Sequence, residues 1–328
     1  MRLKKLLLIN FKNLPQAELT LSEGINCFVG DNGAGKTNIL DAVHYLSFAK
    51  SMHTLTDAQC VRHGEEGFVV DGRFVRNDGR PEQVVCSYTR RGGKALKRNG
   101  KEYDRLSEHV GSVPIVVVSP ADTALISDSA EERRKYFNRF LSQIDRTYLA
   151  ALMRYNAALQ ERNKLLKTSP TEDILLIYDA MLTSSAEVIF RKRTETIEAL
   201  MPLVAEFYAE LSEQREVTAL EYRSELQTAS LADLLLASRQ KDFINEHTTS
   251  GIHRDDVIFS IGEFPLRKFG SQGQQKSFLV ALKLAEYRLL ARHAGCRPIL
   301  LLDDLFDKLD MRRVAQLLKL TGGDDFGQ

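Results

Sequence analysis

The segment of residues 30–37 has the residue types and spacing of a phosphate-binding loop, since it matches G-x-x-x-x-G-K-[ST] in full. Its glycines let backbone N–H groups turn inward around phosphates, and the helix expected from Asn38 adds a partial positive charge. Lys36 is expected to reach the β- and γ-phosphate oxygens, and Thr37 is expected to bind Mg²⁺. The alternative is a glycine-rich turn that precedes a lysine by chance, although the apolar run over residues 24–29 predicts the strand that such a loop follows. The motif therefore indicates a nucleotide without indicating a reaction. The candidate nucleotide-binding residues of the loop are Gly30, Asp31, Asn32, Gly33, Ala34, Gly35, Lys36, Thr37 and Asn38.

Two carboxylates, Asp303 and Asp304, directly follow the aliphatic run of residues 299–302. In a parallel sheet such a run is buried, and the acids emerge at its carboxyl end. Asp303 is thus a candidate Mg²⁺ ligand together with Thr37. Asp304 is a candidate catalytic residue that activates water, while Lys36 binds the reacting phosphate. An ordinary solvated loop is the alternative interpretation of two acids in this place.

A second candidate phosphate-binding surface precedes the helix predicted over residues 274–293. Ser271, Gly273 and Gln274 would offer a hydroxyl group, backbone N–H groups and the positive end of the helix dipole to an anion. A simple helix N-cap is the alternative for a serine at this position. Because the other two motifs already indicate a nucleotide site, we prefer the phosphate-binding interpretation.

The pattern of apolar residues predicts an α/β fold, with strands towards both ends of the chain and helices between them. We expect strands over residues 3–11, 17–21, 24–29, 67–75, 83–89, 115–118, 257–261, 266–269 and 299–302. We expect helices over residues 38–49, 131–167, 171–201, 203–212, 231–246, 274–293 and 312–320. Residues 1–119 and 248–328 are therefore predicted to form one discontinuous domain, a mixed sheet with helices. Residues 120–247 are predicted to form a mostly helical insert.

The order of the motifs resembles that of the ABC-type ATPases. Residues 30–37 come first, followed by residues 271–275, by Asp303 and Asp304, and by Leu309-Asp310. In that class the second of these elements binds the ATP held by the other subunit. The resemblance therefore implies that ATP is sandwiched between two heads.

Within this class the chain resembles the RecF family of SMC-like bacterial ATPases. The segments that carry the resemblance lie at residues 8–13, 119–137 and 249–256. It implies an ABC-type P-loop ATPase head with an inserted, mostly helical second domain, and it adds Lys12 to the nucleotide-binding candidates. It further implies an ATP- and Mg²⁺-dependent homodimer that binds single-stranded and duplex DNA without sequence preference and hydrolyses ATP slowly, stimulated by DNA. The implied setting is DNA replication, recombinational repair and the SOS response to DNA damage, alongside proteins of the RecO and RecR type.

Two departures from the family pattern affect these expectations. Gln272 stands where many relatives carry arginine, which is a mild change. The chain ends at Gln328, where relatives continue into another strand and a switch residue near the γ-phosphate. Two interpretations stay open: a complete sheet, or a fragment that lacks the last strand and with it full hydrolysis.

The net charge is only +1, from 45 Lys and Arg against 44 Asp and Glu, which excludes binding of a polyanion by bulk charge. A DNA-binding surface would therefore have to come from basic residues that are concentrated locally. Residues 90–101 hold six basic residues and no acid around Asn99-Gly100, which predicts a hairpin turn. Residues 131–167 hold nine basic residues against four acidic ones. A solvated hairpin and an ordinary charged helix face are the alternatives. No aromatic residues interleave the charges, so base stacking is not indicated.

Four widely spaced cysteines indicate neither a zinc site nor a disulfide framework, and so predict a reducing compartment. The chain shows no signal-peptide core and no membrane-length apolar run, so we expect a cytoplasmic protein without a membrane partner. His253 has no second histidine at ligand spacing and is interpreted as structural or nucleotide-proximal. Two other functions stay open: an SMC-like structural protein, disfavoured by the absence of sustained heptads, and a module that uses ATP only to hold two copies together.

Overall fold

The computed structural model describes residues 1–54, 56–168, 171–212, 216–304, 311–323 and 325–328. The predicted Leu309-Asp310 turn lies outside these residues. The strands are β1 (Arg2–Phe11), β2 (Leu14–Thr20), β3 (Gly67–Val75), β4 (Pro81–Thr89), β5 (Gly93–Arg98), β6 (Lys101–Glu102), β7 (Ile115–Val118), β8 (Thr218–Arg223), β9 (Asp256–Ile261), β10 (Phe264–Pro265) and β11 (Ile299–Leu302). The helices are α1 (Lys36–Phe48), α2 (Ala124–Ser127), α3 (Ala130–Ile144), α4 (Arg146–Leu166), α5 (Glu172–Ser212), α6 (Leu231–Asn245), α7 (Leu266–Phe269), α8 (Gln272–Ala294) and α9 (Met311–Thr321).

The chain divides into two compact units. Unit 1 comprises Met1–Pro120 and Glu286–Gln328, and unit 2 comprises Ala121–Ala285. This division differs from the predicted domains at its second boundary, because residues 248–285 group with the helical insert. The reason is that β9 pairs with β8, a strand that the apolar pattern does not predict, and that Arg133 of α3 binds Asp256 at the start of β9.

Unit 1 contains a six-stranded antiparallel sheet in the order β2-β1-β3-β4-β5-β6. Alternating apolar residues line its inner face, against which α1 packs. The aromatic rings of Phe11, Tyr45 and Phe68 meet edge to face, with centroids 5.3–6.0 Å apart, and fix α1 against β1 and β3. At the end of this sheet Asn99 and Gly100 have φ of 50° and 80°, which confirms the predicted hairpin turn.

The second sheet of unit 1 consists of β7 and β11, which run parallel in the register Ile299↔Ile115 to Leu302↔Val118. Both strands are short runs of aliphatic residues, as expected for a buried parallel pair. The strand predicted over residues 24–29 is absent, and that prediction is wrong. No described strand pairs with this segment, and the side chain of Val29 is 93% exposed. An apolar run forms a strand only where a neighbour accepts its backbone hydrogen bonds.

Unit 2 consists mainly of α3–α6 and the antiparallel sheet β10-β9-β8. Helices α4 and α5 run antiparallel, since Arg162 of α4 binds Asp179 of α5 while Tyr148 of α4 binds Arg193 further along α5. The Arg162 side chain is fully buried and also binds Asp242 of α6 at 2.8 Å. Three helices of this unit are thus joined by one buried ionic network.

Three predictions for unit 2 are wrong, and two of them concern helix boundaries. The helix predicted over residues 131–167 is divided at Asp145, which leaves helical geometry and caps α4 by accepting from the N–H groups of Thr147 and Tyr148. The predicted break at Pro202 does not occur, because α5 continues through it. Pro202 and Glu198 are both exposed, so water can satisfy the carbonyl group that loses its partner.

The third error concerns residues 266–269, which form the single helical turn α7 where a strand is predicted. The preceding strand β10 is only two residues long and ends at Pro265, which has no N–H group with which to extend the ladder.

Candidate nucleotide-binding site

The loop of residues 30–37 lies in unit 1 and leads directly into α1. The Lys36 Nζ atom donates to the carbonyl oxygens of Gly30 at 2.6 Å and Asp31 at 2.9 Å. Gly33 and Gly35 have φ of 83° and 101°, a region that favours glycine. The ammonium group is therefore held at the centre of a loop that only a glycine-rich sequence forms without strain.

Asn13 fastens this loop to the first hairpin of the sheet. Its Nδ2 atom donates to the carbonyl oxygen of Gly33 at 2.8 Å, and its Oδ1 atom accepts from Asn38 Nδ2 at 2.8 Å. A Cβ atom at Gly35 would lie 3.0 Å from Asn13 Oδ1, so the missing side chain permits the close approach. The motifs do not predict this role for Asn13, and its position beside Lys12 is the only signal in the sequence.

The contact between Thr37 and Asp303 joins the two halves of the site. The Thr37 hydroxyl group donates to Asp303 Oδ1 at 3.0 Å, across 266 positions of sequence. Asp303 is buried at the carboxyl end of β11, where its backbone N–H group donates to Val118 of β7 at 2.9 Å. A hydroxyl and a carboxylate oxygen are hard ligands of the kind that Mg²⁺ prefers, so the donor set fits that ion.

Asp304 is exposed next to this pair and has φ of 48°. A non-glycine residue in this left-handed region is uncommon, and such backbone conformations cluster at functional sites. The two adjacent carboxylates occupy different environments, since Asp303 is buried and Asp304 is exposed to water.

Lys12, the nucleotide-binding candidate that directly follows β1, forms an ion pair with a carboxylate of α1. Its Nζ atom lies 2.5 Å from Oδ2 of Asp41, whose side chain is fully buried on α1. Asp41 also accepts hydrogen bonds from the Ser51 hydroxyl group and the Met52 N–H group, both at 2.7 Å. The charge of Lys12 is therefore balanced by a carboxylate of α1, the helix that follows the loop.

Ser271 lies in unit 2, immediately before α8. Its Oγ atom accepts from the N–H group of Gln274 at 3.2 Å, and Gln274 Oε1 accepts from the N–H group of Ser271 at 2.8 Å. This is a reciprocal capping box, so the N-cap interpretation is confirmed. The Gln274 amide also donates to Glu216 at 2.8 Å. Ser271 is nonetheless exposed, and Gly273 in the first turn carries no side chain over the helix end.

Three of the nine basic residues in the 131–167 segment are bound within the fold. Arg133 forms a bidentate ion pair with Asp256, and Arg134 donates to the carbonyl oxygen of Asp255 at 2.8 Å. Arg162 belongs to the buried network of α4, α5 and α6. The excess of positive charge in the sequence of this segment therefore overstates the charge available to DNA.

His253 is a partly buried structural residue. Its ring contacts the Tyr155 hydroxyl group at 2.7 Å and the carbonyl oxygen of Thr248 at 3.0 Å. Burial lowers the pKa of His253 to about 4, so the ring is neutral at physiological pH. The described residues contain no cluster of His, Cys, Asp and Glu that could hold a metal ion. Among the same residues, no helix is long and apolar enough to span a membrane.

Comparison with known proteins gives consistent matches over nearly the whole chain. The family model described as RecF/RecN/SMC N terminal domain matches residues 2–323. The DNA replication and repair protein RecF of Phocaeicola vulgatus is 46% identical over 331 residues, which cover 100% of this chain and 89% of the relative. The RecF protein of Bacteroides fragilis is 47% identical over 330 residues, with the same coverage.

Solved structures give the same result. The recombination mediator protein RecF with ATPrS has a TM-score of 0.91 and 30% identity, covering 99% of this chain and 94% of that protein. The corresponding structure with ATP has a TM-score of 0.91 and 32% identity, covering 98% and 89%. An Smc head domain of Pyrococcus furiosus shares the fold, with a TM-score of 0.51 and 16% identity. The match covers 96% of this chain and 91% of that protein. These matches confirm the predicted α/β ATPase head with a helical insert.

Proposed function

The chain belongs to the RecF family of DNA replication and repair proteins, and we propose that ATP controls its action by joining two copies of it on DNA. The observation that carries this proposal is the contact between Thr37 and Asp303, which lies beside Lys36 at the start of α1. It brings the phosphate-binding loop and the acidic end of β11 into one site. The two solved relatives named with ATP and ATPrS support nucleotide binding at this site.

Each side chain of the site has a defined role in this proposal. Lys36 exchanges its two carbonyl partners for the β- and γ-phosphate oxygens, while the N–H groups of residues 33–38 surround the phosphates. Thr37 and Asp303 hold Mg²⁺, which supplies positive charge against the phosphate oxygens. Asp304, exposed to water, orients the attacking water molecule and accepts its proton. The division of labour follows from the burial of Asp303 and the exposure of Asp304.

Ser271, Gly273 and Gln274 act on the ATP of a second copy. The capped N-terminus of α8 is exposed and presents backbone N–H groups together with the helix dipole, a combination that suits a γ-phosphate. We assign residues 248–285 to the function of the ATPase head for this reason, although their contacts lie within unit 2. Lys12 serves the site indirectly, through Asp41 and α1.

The ATP-bound dimer binds single-stranded and duplex DNA through phosphate contacts, and hydrolysis, slow and stimulated by DNA, releases it. Proteins of the RecO and RecR type act with it in recombinational repair, replication and the SOS response. The relatives named as RecF in the RecFOR pathway support these partners. The four cysteines are free, as is usual in the reducing cytoplasm, where we place the protein.

The test combines light scattering with single-turnover hydrolysis. The molar mass is measured without nucleotide, with ATP and Mg²⁺, and with ATP, Mg²⁺ and DNA. We expect doubling of the mass with ATP, persistence of the dimer on DNA, and faster single-turnover hydrolysis when DNA is present. An unchanged mass with ATP would refute the proposal. Dimerisation without any hydrolysis would instead favour a module that uses ATP only to hold two copies together.

A further inference from the structure

A pair of aromatic rings is exposed beside the Ser271 turn in unit 2. The side chains of Phe264 and Phe269 are 59% and 64% exposed, and their ring centroids lie 5.4 Å apart in an edge-to-face arrangement. The two rings therefore form a small exposed apolar cluster on the surface of unit 2. Exposed apolar clusters of this kind mark interaction sites more often than isolated exposed side chains do.

The chain presents this pair on a fixed support. Phe264 pairs with Ile261 in the β9–β10 hairpin, whose turn includes Gly262 at φ 57°. Leu266 is buried and anchors α7, and the N–H group of Gly270 donates to the carbonyl oxygen of Leu266 at 3.0 Å. The two rings are therefore held by a hairpin and a closed helical turn.

The same support is joined to the Ser271 turn. The side-chain amide of Gln275 donates to the carbonyl oxygens of Leu266 at 3.2 Å and Gly270 at 3.0 Å, and so links α8 to α7. A Cβ atom at Gly270 would lie 2.7 Å from the Leu266 carbonyl oxygen, so glycine is required for this approach. A partner that contacts Ser271 would therefore meet Phe269, two residues away, in a fixed relation to it.

The charge next to the rings indicates the nature of the partner. Arg267 and Lys268 are exposed between the two phenylalanines, and neither forms an ion pair within the part of the chain that the structure describes. The candidate nucleotide site carries two exposed acids of opposite charge, Asp31 in the phosphate-binding loop and Asp304 after β11. Bound nucleotide adds the negative charge of its phosphates.

We propose that the Phe264–Phe269 pair, with Arg267 and Lys268, docks on the phosphate-binding loop face of a second copy of this chain when that copy holds ATP. The inference rests on the proposed function, which directs Ser271 to the same face. In a twofold dimer each copy uses both surfaces, so the aromatic contact occurs twice. Aromatic side chains at the centre of such interfaces often carry most of the binding energy.

The test replaces both rings, in the full chain, by Phe264→Ser with Phe269→Ser. The matched control is Leu236→Ser with Ile244→Ser, at positions of α6 that are 64% and 82% exposed in the same unit. Because all four side chains are exposed, both variants should fold, and thermal unfolding checks this. We expect ATP-dependent dimerisation at least about 30-fold weaker in the aromatic variant, with ATP affinity of the single chain unchanged. Dimerisation equal to that of the control would overturn the inference.

A parallel sample with Ser271→Arg separates this inference from the proposed function. If the wild-type chain does not dimerise with ATP, the proposed function and the inference both fail. If Ser271→Arg abolishes the dimer while the aromatic variant dimerises normally, only the inference fails. Fluorescence anisotropy with duplex DNA completes the test. An aromatic variant that dimerises normally but loses DNA affinity would show that the surface serves DNA, and would refute the inference.

Discussion

Neutralising Arg90, Arg91 and Lys101 should weaken DNA binding and lower its salt dependence. Arg90 and Arg91 are exposed in the turn between β4 and β5, and Lys101 is exposed in the edge strand β6. None of the three forms an ion pair with a described residue. The other basic residues of the 90–101 stretch are engaged within the fold. Lys94 lies 2.8 Å from Asp57, Arg98 lies 2.8 Å from the buried carboxylate of Glu82, and Lys97 lies 3.8 Å from Glu102.

The expected change in salt dependence follows from the number of basic residues that remain available to DNA phosphates. Each duplex phosphate neutralised by a cation contributes about 0.9 to the slope of log affinity against log salt. Three contacts therefore contribute about 2.7, whereas all six basic residues would contribute about 5. Between 50 and 200 mM salt, the triple glutamine variant should lose roughly 40-fold less affinity than the wild type. The assay is fluorescence anisotropy with labelled duplexes of two unrelated sequences, with ATP and Mg²⁺ present.

The matched control is Lys94→Gln with Arg98→Gln, which removes the same kind of charge from the same hairpin. We expect this control to leave the slope unchanged and to lower the free energy of unfolding, because Asp57 loses its ion pair with Lys94 and Glu82 keeps only Arg76 of its two arginine partners. A slope that falls as much in the control as in the triple variant would refute the division into engaged and available charges. An unchanged slope in the triple variant would show that the hairpin is merely solvated.

Three further predictions concern the site and the buried network. Lys36→Ala should reduce ATP affinity by about 2–5 kcal/mol in calorimetric titration, since the phosphates lose their main counter-charge, and wild-type affinity would contradict this role. Asp304→Asn should bind ATP and hydrolyse it more slowly, whereas Asp303→Asn should lose Mg²⁺-dependent binding; identical behaviour would contradict the separate roles. Arg162→Met should lower the free energy of unfolding in urea by about 3–5 kcal/mol, because the fully buried carboxylate of Asp242 loses its cationic partner. The exposed Lys164→Met is its control, and an equal loss there would contradict the importance of burial.

The features predicted best are those determined by local sequence. The phosphate-binding loop and the turn at Asn99-Gly100 depend on glycine or asparagine at fixed offsets, because these residues adopt left-handed conformations most readily. The segment of residues 24–29 shows the limit of this reasoning. Its apolar composition is typical of a strand. A strand also needs an adjacent strand for its backbone hydrogen bonds, and composition does not reveal whether one is present.

Helix boundaries fail for a related reason. Asp145 ends one helix and caps the next because its carboxylate reaches two backbone N–H groups, which the charge pattern of residues 131–167 does not reveal. Pro202 does not end α5, because it lies on the exposed side where the lost hydrogen bond costs least. Local propensity correctly predicts that these segments are helical, while the surrounding structure determines the residue at which each helix ends.

The distribution of charge is predicted least well. Arg133 and Arg162 contribute to the positive charge counted in their segment, but both point inward to carboxylates more than fifteen positions away in sequence. Ion-pair partners are brought together by tertiary structure, and a charge count treats them as free. Within the candidate site the same limit applies to Lys12, whose partner Asp41 becomes evident only when α1 packs on the sheet.

The central claim, that each ATP is held between Lys36 of one copy and Ser271 of another, is tested most directly by mixing two variants. Lys36→Ala alone and Ser271→Arg alone should each fail to dimerise with ATP, as measured by light scattering. The equimolar mixture should regain part of the ATP-dependent dimer, because one composite site can combine Lys36 from one chain with Ser271 from the other. A Ser271→Arg chain that dimerises normally by itself with ATP would contradict the account.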